Sequence, residues 1–390
     1  MNDLKTVDAK STLGMLAWLM VTGLGTLQMQ PVLGGALVDR TGITLAQMGM
    51  LFGIELISMA AGCGAAALAM NRVDRRSFCL LMLAVLAVAG IGSALAKVYA
   101  LLCLSRAIAG AAGGAVQAVV YATTAARTRK DQTFAAINIS LLVWGALTIG
   151  VVPIVLQTLG VAAVYYSFAA MALLATVGLG RIPRHAPELV SSRPDASTGL
   201  KFGGRIIALL ALFTLLFGGH GVLWVYQERI GHALGMSAQA IGVILGGGTL
   251  AGAVGAALAG AINQRISHMT AQTLAFGGSI AASLVVVYGQ TGAAFTAAAF
   301  VLMAVWFFGL TYLFALTAEL DSTGRLTGIS NAAIFVGQGL GPVAAAVVVG
   351  NGNFRAVGWL SAVIYAACVV LAVYVTSAKT AHVHRVAPAK

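Results

Sequence analysis

Residues 49–76 read GMLFGIELISMAAGCGAAALAMNRVDRR. From Gly49 to Met70 the side chains are apolar or small, with one acid, Glu55, among them, and the run ends in the basic turn Asn71-Arg72-Val73-Asp74-Arg75-Arg76. An apolar segment of about 20 residues is what a helix needs to cross the hydrocarbon core of a bilayer. The same outline returns 193 positions later without a gap. Gly49, Gly53, Ala60, Gly62, Ala66 and Arg72 fall on Gly242, Gly246, Ala253, Gly255, Ala259 and Arg265, and Gly42 falls on Gly235. A repeat of half the chain length, built on membrane-type helices, predicts two equivalent halves.

Composition agrees. The 390 residues are 59% hydrophobic and 9% charged, where a soluble domain carries about 25% charged residues. The 48 glycines suit helices that pack in lipid, where small residues let backbones approach. The net charge of +12 reads as a set of topology signals, and no nucleic-acid partner is expected. Cys63, Cys79, Cys103 and Cys368 all lie in apolar runs with no Cys-x-x-Cys spacing, so neither a disulfide framework nor a metal site is indicated. No cofactor is expected. The polar Met1–Lys10 leads straight into an apolar run, which reads as a first span that is retained.

Twelve runs have the length to span: Leu13–Val38, Leu45–Met70, Phe78–Ala96, Tyr99–Ala125, Phe134–Leu159, Val161–Gly180, Ile206–Tyr226, Ala238–Ile262, Thr270–Gly289, Ala293–Leu316, Leu326–Gly350 and Val357–Val375. The polar stretch 181–205, with Pro183, Pro187 and Pro194, divides them six and six. The expected organisation is therefore a bundle over 1–180, a linker over 181–205 and a second bundle over 206–390. With both termini in the cytoplasm, eighteen of the 23 Lys and Arg fall in cytoplasmic segments and four outside, and Arg106 lies within a span. That asymmetry predicts a multi-pass protein of the cell (inner) membrane with both termini cytoplasmic.

Twelve spans in two six-span halves with a basic linker resemble the major facilitator superfamily. The family's loop signature after the second span, Gly-x-x-x-Asp-Arg-x-Gly-Arg-Arg, is matched here at Arg72, Arg75 and Arg76. Asn71 replaces its aspartate, and Asp74 is the nearby acid. Gln264-Arg265 is the second-half counterpart. The resemblance implies that Asn71, Arg72, Asp74, Arg75, Arg76, Gln264 and Arg265 belong to a cytoplasmic gate. The fourth-span signature, an Arg followed by a glycine-rich face, is matched by Arg106, Gly110, Gly113 and Gly114. The fifth-span Gly-Pro signature of proton-driven exporters is met poorly, by Gly145, Gly150 and Pro153. The resemblance implies an all-α membrane transporter of the major facilitator fold.

Polar groups inside the spans are the candidate site residues. A charge near the middle of a span costs about 2.5–3.5 kcal/mol on insertion scales, so Glu55 is read as a carboxyl that takes up and releases a proton. Structural pairing with Arg106, at comparable depth, is the bland alternative. Arg106, Gly110, Gly113, Gln117 and Tyr121 are spaced to form one helical stripe and are expected to line a solute path. His220, Trp224 and Gln227 fall at i, i+4 and i+7. An imidazole ordinarily titrates near neutral pH, which makes His220 a second proton-coupling candidate beside Glu55 and Arg106. Asn138 and Asn331 are again 193 apart, and Asn331 continues through Gln338. Trp306 and Tyr312 complete the substrate-binding set. Gln28, Gln30 and Pro31 mark either an outer gate or a helix end.

No nucleotide-phosphate loop, zinc-protease motif or nucleophile elbow is present, so ATP drive and an enzyme are not expected. The expected function is proton-coupled secondary transport of a small organic solute, with a carboxylate as one candidate and proton-antiporting multidrug export as the alternative. The expected partners are the solute, protons and the lipid bilayer, and the expected state is a monomer.

Overall fold

The computed structural model of the chain describes residues 7–70, 72–184, 203–262, 265–321 and 325–386. All regular structure among them is helical. In chain order the helices are α1 (Lys10–Gln28), α2 (Gln30–Thr41), α3 (Leu45–Ala69), α4 (Arg75–Leu95), α5 (Tyr99–Ala125), α6 (Lys130–Leu159) and α7 (Val161–Gly178). Then follow α8 (Gly204–Trp224), α9 (Gln227–Ala233), α10 (Ala238–Ile262), α11 (His268–Tyr288), α12 (Gly292–Leu320), α13 (Arg325–Val349) and α14 (Phe354–Val386). Among the described residues eleven spans are long and apolar enough to cross a membrane, or twelve when α1 and α2, bent by 50°, are taken as one span.

The first span departs from the continuous helix expected over Leu13–Val38. It breaks at Met29, and the cause is Pro31 at the start of α2. A proline inside a helix has no N–H to donate, and its ring clashes with the carbonyl four residues earlier. The seventh span, Gly204–Ala233, stays one span but is interrupted by a turn after Trp224, where Tyr226 N–H bonds back to the Leu223 carbonyl at 3.0 Å. Gln227 therefore begins a separate short helix, and the expected stripe His220–Trp224–Gln227 is interrupted before its last member.

The 193-residue repeat is visible in local structure. Gly42 and Gly235 both sit in the left-handed region, at φ 72° and 79°, a conformation that glycine adopts without a Cβ penalty. Two residues on, the Thr44 hydroxyl accepts from Gln47 N–H at 3.1 Å, and the Ser237 hydroxyl accepts from Ala240 N–H at 3.2 Å. Asp74 and Ser267 cap α4 and α11 in the same way, accepting from Ser77 and Thr270 N–H at 3.1 Å each. Such caps satisfy donors that a helix start otherwise leaves unpaired. One very tight crossing repeats as well. A Cβ on Gly62 would lie 2.0 Å from the Ala111 carbonyl oxygen, and one on Gly255 would lie 1.9 Å from that of Ala304.

The chain forms two compact units, Met1–Ser192 with Ser237–Gly246, and Arg193–Met236 with Gly247–Lys390. Residues 185–202 of the expected linker lie outside the described residues. In the first unit α1 packs on α5, α6 and α7, and α4 packs on α5 and α7. In the second unit α8 packs on α13 and α14, and α11 packs on α12 and α14. The pairs α1–α6, α1–α7, α4–α5 and α4–α7 thus have counterparts in α8–α13, α8–α14, α11–α12 and α11–α14.

Candidate functional site

In the first unit the deep acid is paired. Glu55 on α3 is 2% exposed and Arg106 on α5 is 3% exposed. Arg106 Nη2 lies 3.5 Å from Glu55 Oε1, and the Thr26 hydroxyl on α1 donates to the same oxygen at 2.8 Å. The Arg106 guanidinium also sits 5.2 Å over the Tyr165 ring of α7. Four helices thus meet at one carboxylate. Packing sets the distance: a Cβ on Gly110, one turn beyond Arg106, would lie 2.1 Å from the backbone oxygen of Glu55 itself. The glycine lets the α3 backbone come close enough for the two side chains to meet. Arg106 Nε is buried without a hydrogen-bond partner.

Thr26 was not among the sequence candidates. One hydroxyl in an apolar run carries little signal, since threonines in helices commonly bond their own carbonyls. Thr22 does so, to Trp18 O at 2.8 Å.

The remaining α5 residues are brought together in a different role from the one expected. The groove at Gly110 and Gly113, expected to line a cavity, is filled by neighbouring backbone. A Cβ on Gly113 would lie 2.7 Å from Gly23 O. Gln117 is fully buried and its Nε2 donates to Met20 O at 3.2 Å, while its Oε1 has no partner. Tyr121 is half-buried, with its ring 6.1 Å from Phe134. Asn138 is exposed and its Nδ2 donates to Phe134 O, one turn back, at 2.8 Å.

The second unit holds an aromatic cluster. The His220 ring stacks 5.4 Å from Trp224 and lies 4.7 Å from Trp306, which meets Phe217 edge-on at 4.7 Å. Trp306 Nε1 donates to Leu216 O at 3.3 Å, which fixes the indole. Both ring nitrogens of His220 are buried without partners, and so are both amide atoms of Gln227, a residue 1% exposed. Tyr312 is buried with an unpartnered hydroxyl, 5.6 Å from the His268 ring. His268 Nε2 in turn lies 3.1 Å from Glu319 Oε1. Asn331 and Gln338 are half-buried on α13.

The repeat does not extend to this chemistry. The positions 193 beyond Glu55 and Arg106 are Gly248 and Ala299, and the position 193 before His220 is Leu27. One unit therefore carries an acid–base pair and the other an aromatic cluster with unsatisfied nitrogen groups.

Of the gate candidates, Asp74 caps α4 and lies 3.9 Å from Arg184. Arg76 donates to the carbonyls of Gly180 and Ile182. Arg75 N–H donates to Arg184 O at 2.7 Å, and the Arg75 side chain reaches Ala122 O at 3.5 Å. These bonds strap the end of α7 to the α3–α4 turn. Arg72 and Arg265 are exposed. Asn71 and Gln264 lie outside the described residues. Among the described residues no three His, Cys, Asp or Glu side chains are grouped to hold a metal ion.

A twofold repeat of six spans with a buried acid–base pair defines a membrane transporter built from two related bundles. The chain belongs to the major facilitator superfamily, whose profile matches residues 11–325. Two solved structures of the nucleoside transporter NupG share its fold. One is 13% identical over 97% of this chain and 99% of that one, with a TM-score of 0.70. The other, a point mutant, is 15% identical over 94% and 98%, with a TM-score of 0.72. At such identity the likeness is one of fold. No curated protein sequence matches the chain.

Proposed function

We propose that this protein is a proton-coupled secondary active transporter that moves a small organic solute across the cytoplasmic membrane by alternating access. Glu55 carries the proton. The observation that supports this most is the buried Glu55–Arg106 pair at 3.5 Å. A buried charge whose partner is removed is costly, about 3–5 kcal/mol. Protonating Glu55 removes its half of the pair and leaves the Arg106 charge uncompensated. That favours a state in which Arg106 finds another partner or water. Deprotonation favours the paired state, so proton binding and helix arrangement are linked.

The solute is held by its polar edge and its ring. His220, Gln227 and the indoles of Trp224 and Trp306 suit a planar, hydrogen-bonding compound. Nucleosides are such compounds, and they are what the fold neighbours are named for. A carboxylate is the second reading, favoured by Arg106, which a protonated Glu55 releases for an anionic solute. The protein in vesicles, given an acid outside, is assayed for uptake of tritiated uridine and of labelled benzoate. Uptake that collapses with a protonophore supports the proposal. Uptake of either probe that ignores the gradient contradicts the coupling. Proton-driven extrusion of ethidium instead assigns the multidrug reading.

A further inference from the structure

We infer that Gln30 is a solute-binding residue of the first unit, and that its amide N–H donates to an acceptor oxygen of the solute. This rests on the transport reading and narrows its substrate class. Gln30 is the first residue of α2, directly after the break that Pro31 imposes on the first span. It is 1% exposed, and its Nε2 has no hydrogen-bond partner. A buried donor left unsatisfied costs about 1–3 kcal/mol, and buried polar groups without partners are rare in folded proteins.

The other buried glutamines show what a structural amide does here. Gln117 donates across to Met20 O, and Gln272 donates to Gly309 O, at 3.2 and 3.1 Å. Each ties two helices together. Gln30 Nε2 makes no such tie, although it lies next to a break in the first span.

The same device recurs in the second unit. Gln227 is the first residue of α9, just past the turn that interrupts the seventh span, again 1% exposed, with both amide atoms unpartnered. The strict repeat does not account for this, because 193 beyond Gln30 is Leu223 and 193 before Gln227 is Gly34. The two amides coincide by their place at a break, which argues for a shared demand on that place. Interrupted spans in transporters present binding groups at membrane depth. The unsatisfied atom of Gln30 is a donor, so its complement is an acceptor oxygen on the solute.

The test uses the full-length protein and its Gln30→Leu and Gln30→Asn variants. Thermal midpoints are measured in detergent, and uptake of tritiated uridine and labelled benzoate is measured in vesicles. Gln30→Leu removes an unsatisfied amide, so its midpoint should hold or rise, while KM for the transported probe rises about tenfold or more. Gln30→Asn should recover part of the KM. A Gln30→Leu midpoint several degrees lower with KM unchanged shows a structural glutamine and overturns the inference. If the wild type moves neither probe, the transport reading fails on its own. A lowered midpoint in Gln30→Leu then still overturns the assignment of Gln30.

Discussion

Arg106 and Glu55 meet at 3.5 Å because the helix carrying the arginine presents Gly110 to the glutamate's own backbone oxygen, where a Cβ would stand 2.1 Å away. A sequence choice that looks like mere smallness therefore sets an electrostatic distance. Lengthening that crossing weakens the pair without touching either charge. Gly110→Ala should lower the thermal midpoint, since overpacking a tight contact costs about 1–3 kcal/mol. It should also slow gradient-driven uptake while Glu55 and Arg106 remain in place. A variant with wild-type midpoint and uptake would show that the crossing is loose.

The repeat makes a paired prediction. Gly62 lies against Ala111 as Gly255 lies against Ala304, at 2.0 and 1.9 Å for a Cβ. Gly62→Ala and Gly255→Ala should therefore destabilise the purified protein by similar amounts, about 1–3 kcal/mol each. Thermal midpoints differing widely between the two would mean that the crossings are not equivalent.

The Thr26 hydroxyl donates a hydrogen bond to Glu55 Oε1 at 2.8 Å. Thr26→Val keeps the shape and deletes the donor, at a cost of about 1.5–3 kcal/mol for a bond to a charged group. Thr26→Ser restores it. Uptake should fall in the valine variant and recover in the serine variant, and equal uptake in both would remove Thr26 from the coupling site.

His220 is stacked on Trp224 and near Trp306, with both nitrogens unpartnered. His220→Phe preserves the stacking and removes the nitrogens. The thermal midpoint should be kept and KM for the solute should rise about tenfold. Unchanged KM would assign His220 to packing.

The charge asymmetry predicts that both termini and residues 181–205 are cytoplasmic. Reporter fusions at Lys390 and near Asp195 should both score as cytoplasmic, and an external signal at either would reverse the proposed orientation.

Much of the fold was legible because lipid imposes long apolar runs and the two halves kept one register. The turn glycines, the caps at Thr44 and Ser237, and the Gly62 and Gly255 crossings all follow a single offset. The break at Met29 was only half legible. Pro31 marked the place, but an apolar run through Val38 hid the end of the helix. The Glu55–Arg106 contact was readable from depth, since the two residues lie at matching distances into their spans. Thr26 and Tyr165 were not, because what recruits them is helix packing, which one hydroxyl or one ring in an apolar run does not announce. Gly110 and Gly113 were visible as a stripe, but spacing alone does not say whether a glycine groove admits solute or backbone, and here it admits backbone.

The central claim is that Glu55 carries the proton, and Glu55→Gln tests it most directly. The amide holds the neutral form permanently and keeps a hydrogen-bonding group beside Thr26 and Arg106. Vesicles containing this variant should no longer accumulate the transported solute from a pH gradient, while exchange of internal for external solute, which needs no net proton movement, persists. Proton-driven accumulation at the wild-type level by Glu55→Gln would contradict the account and move the proton site elsewhere.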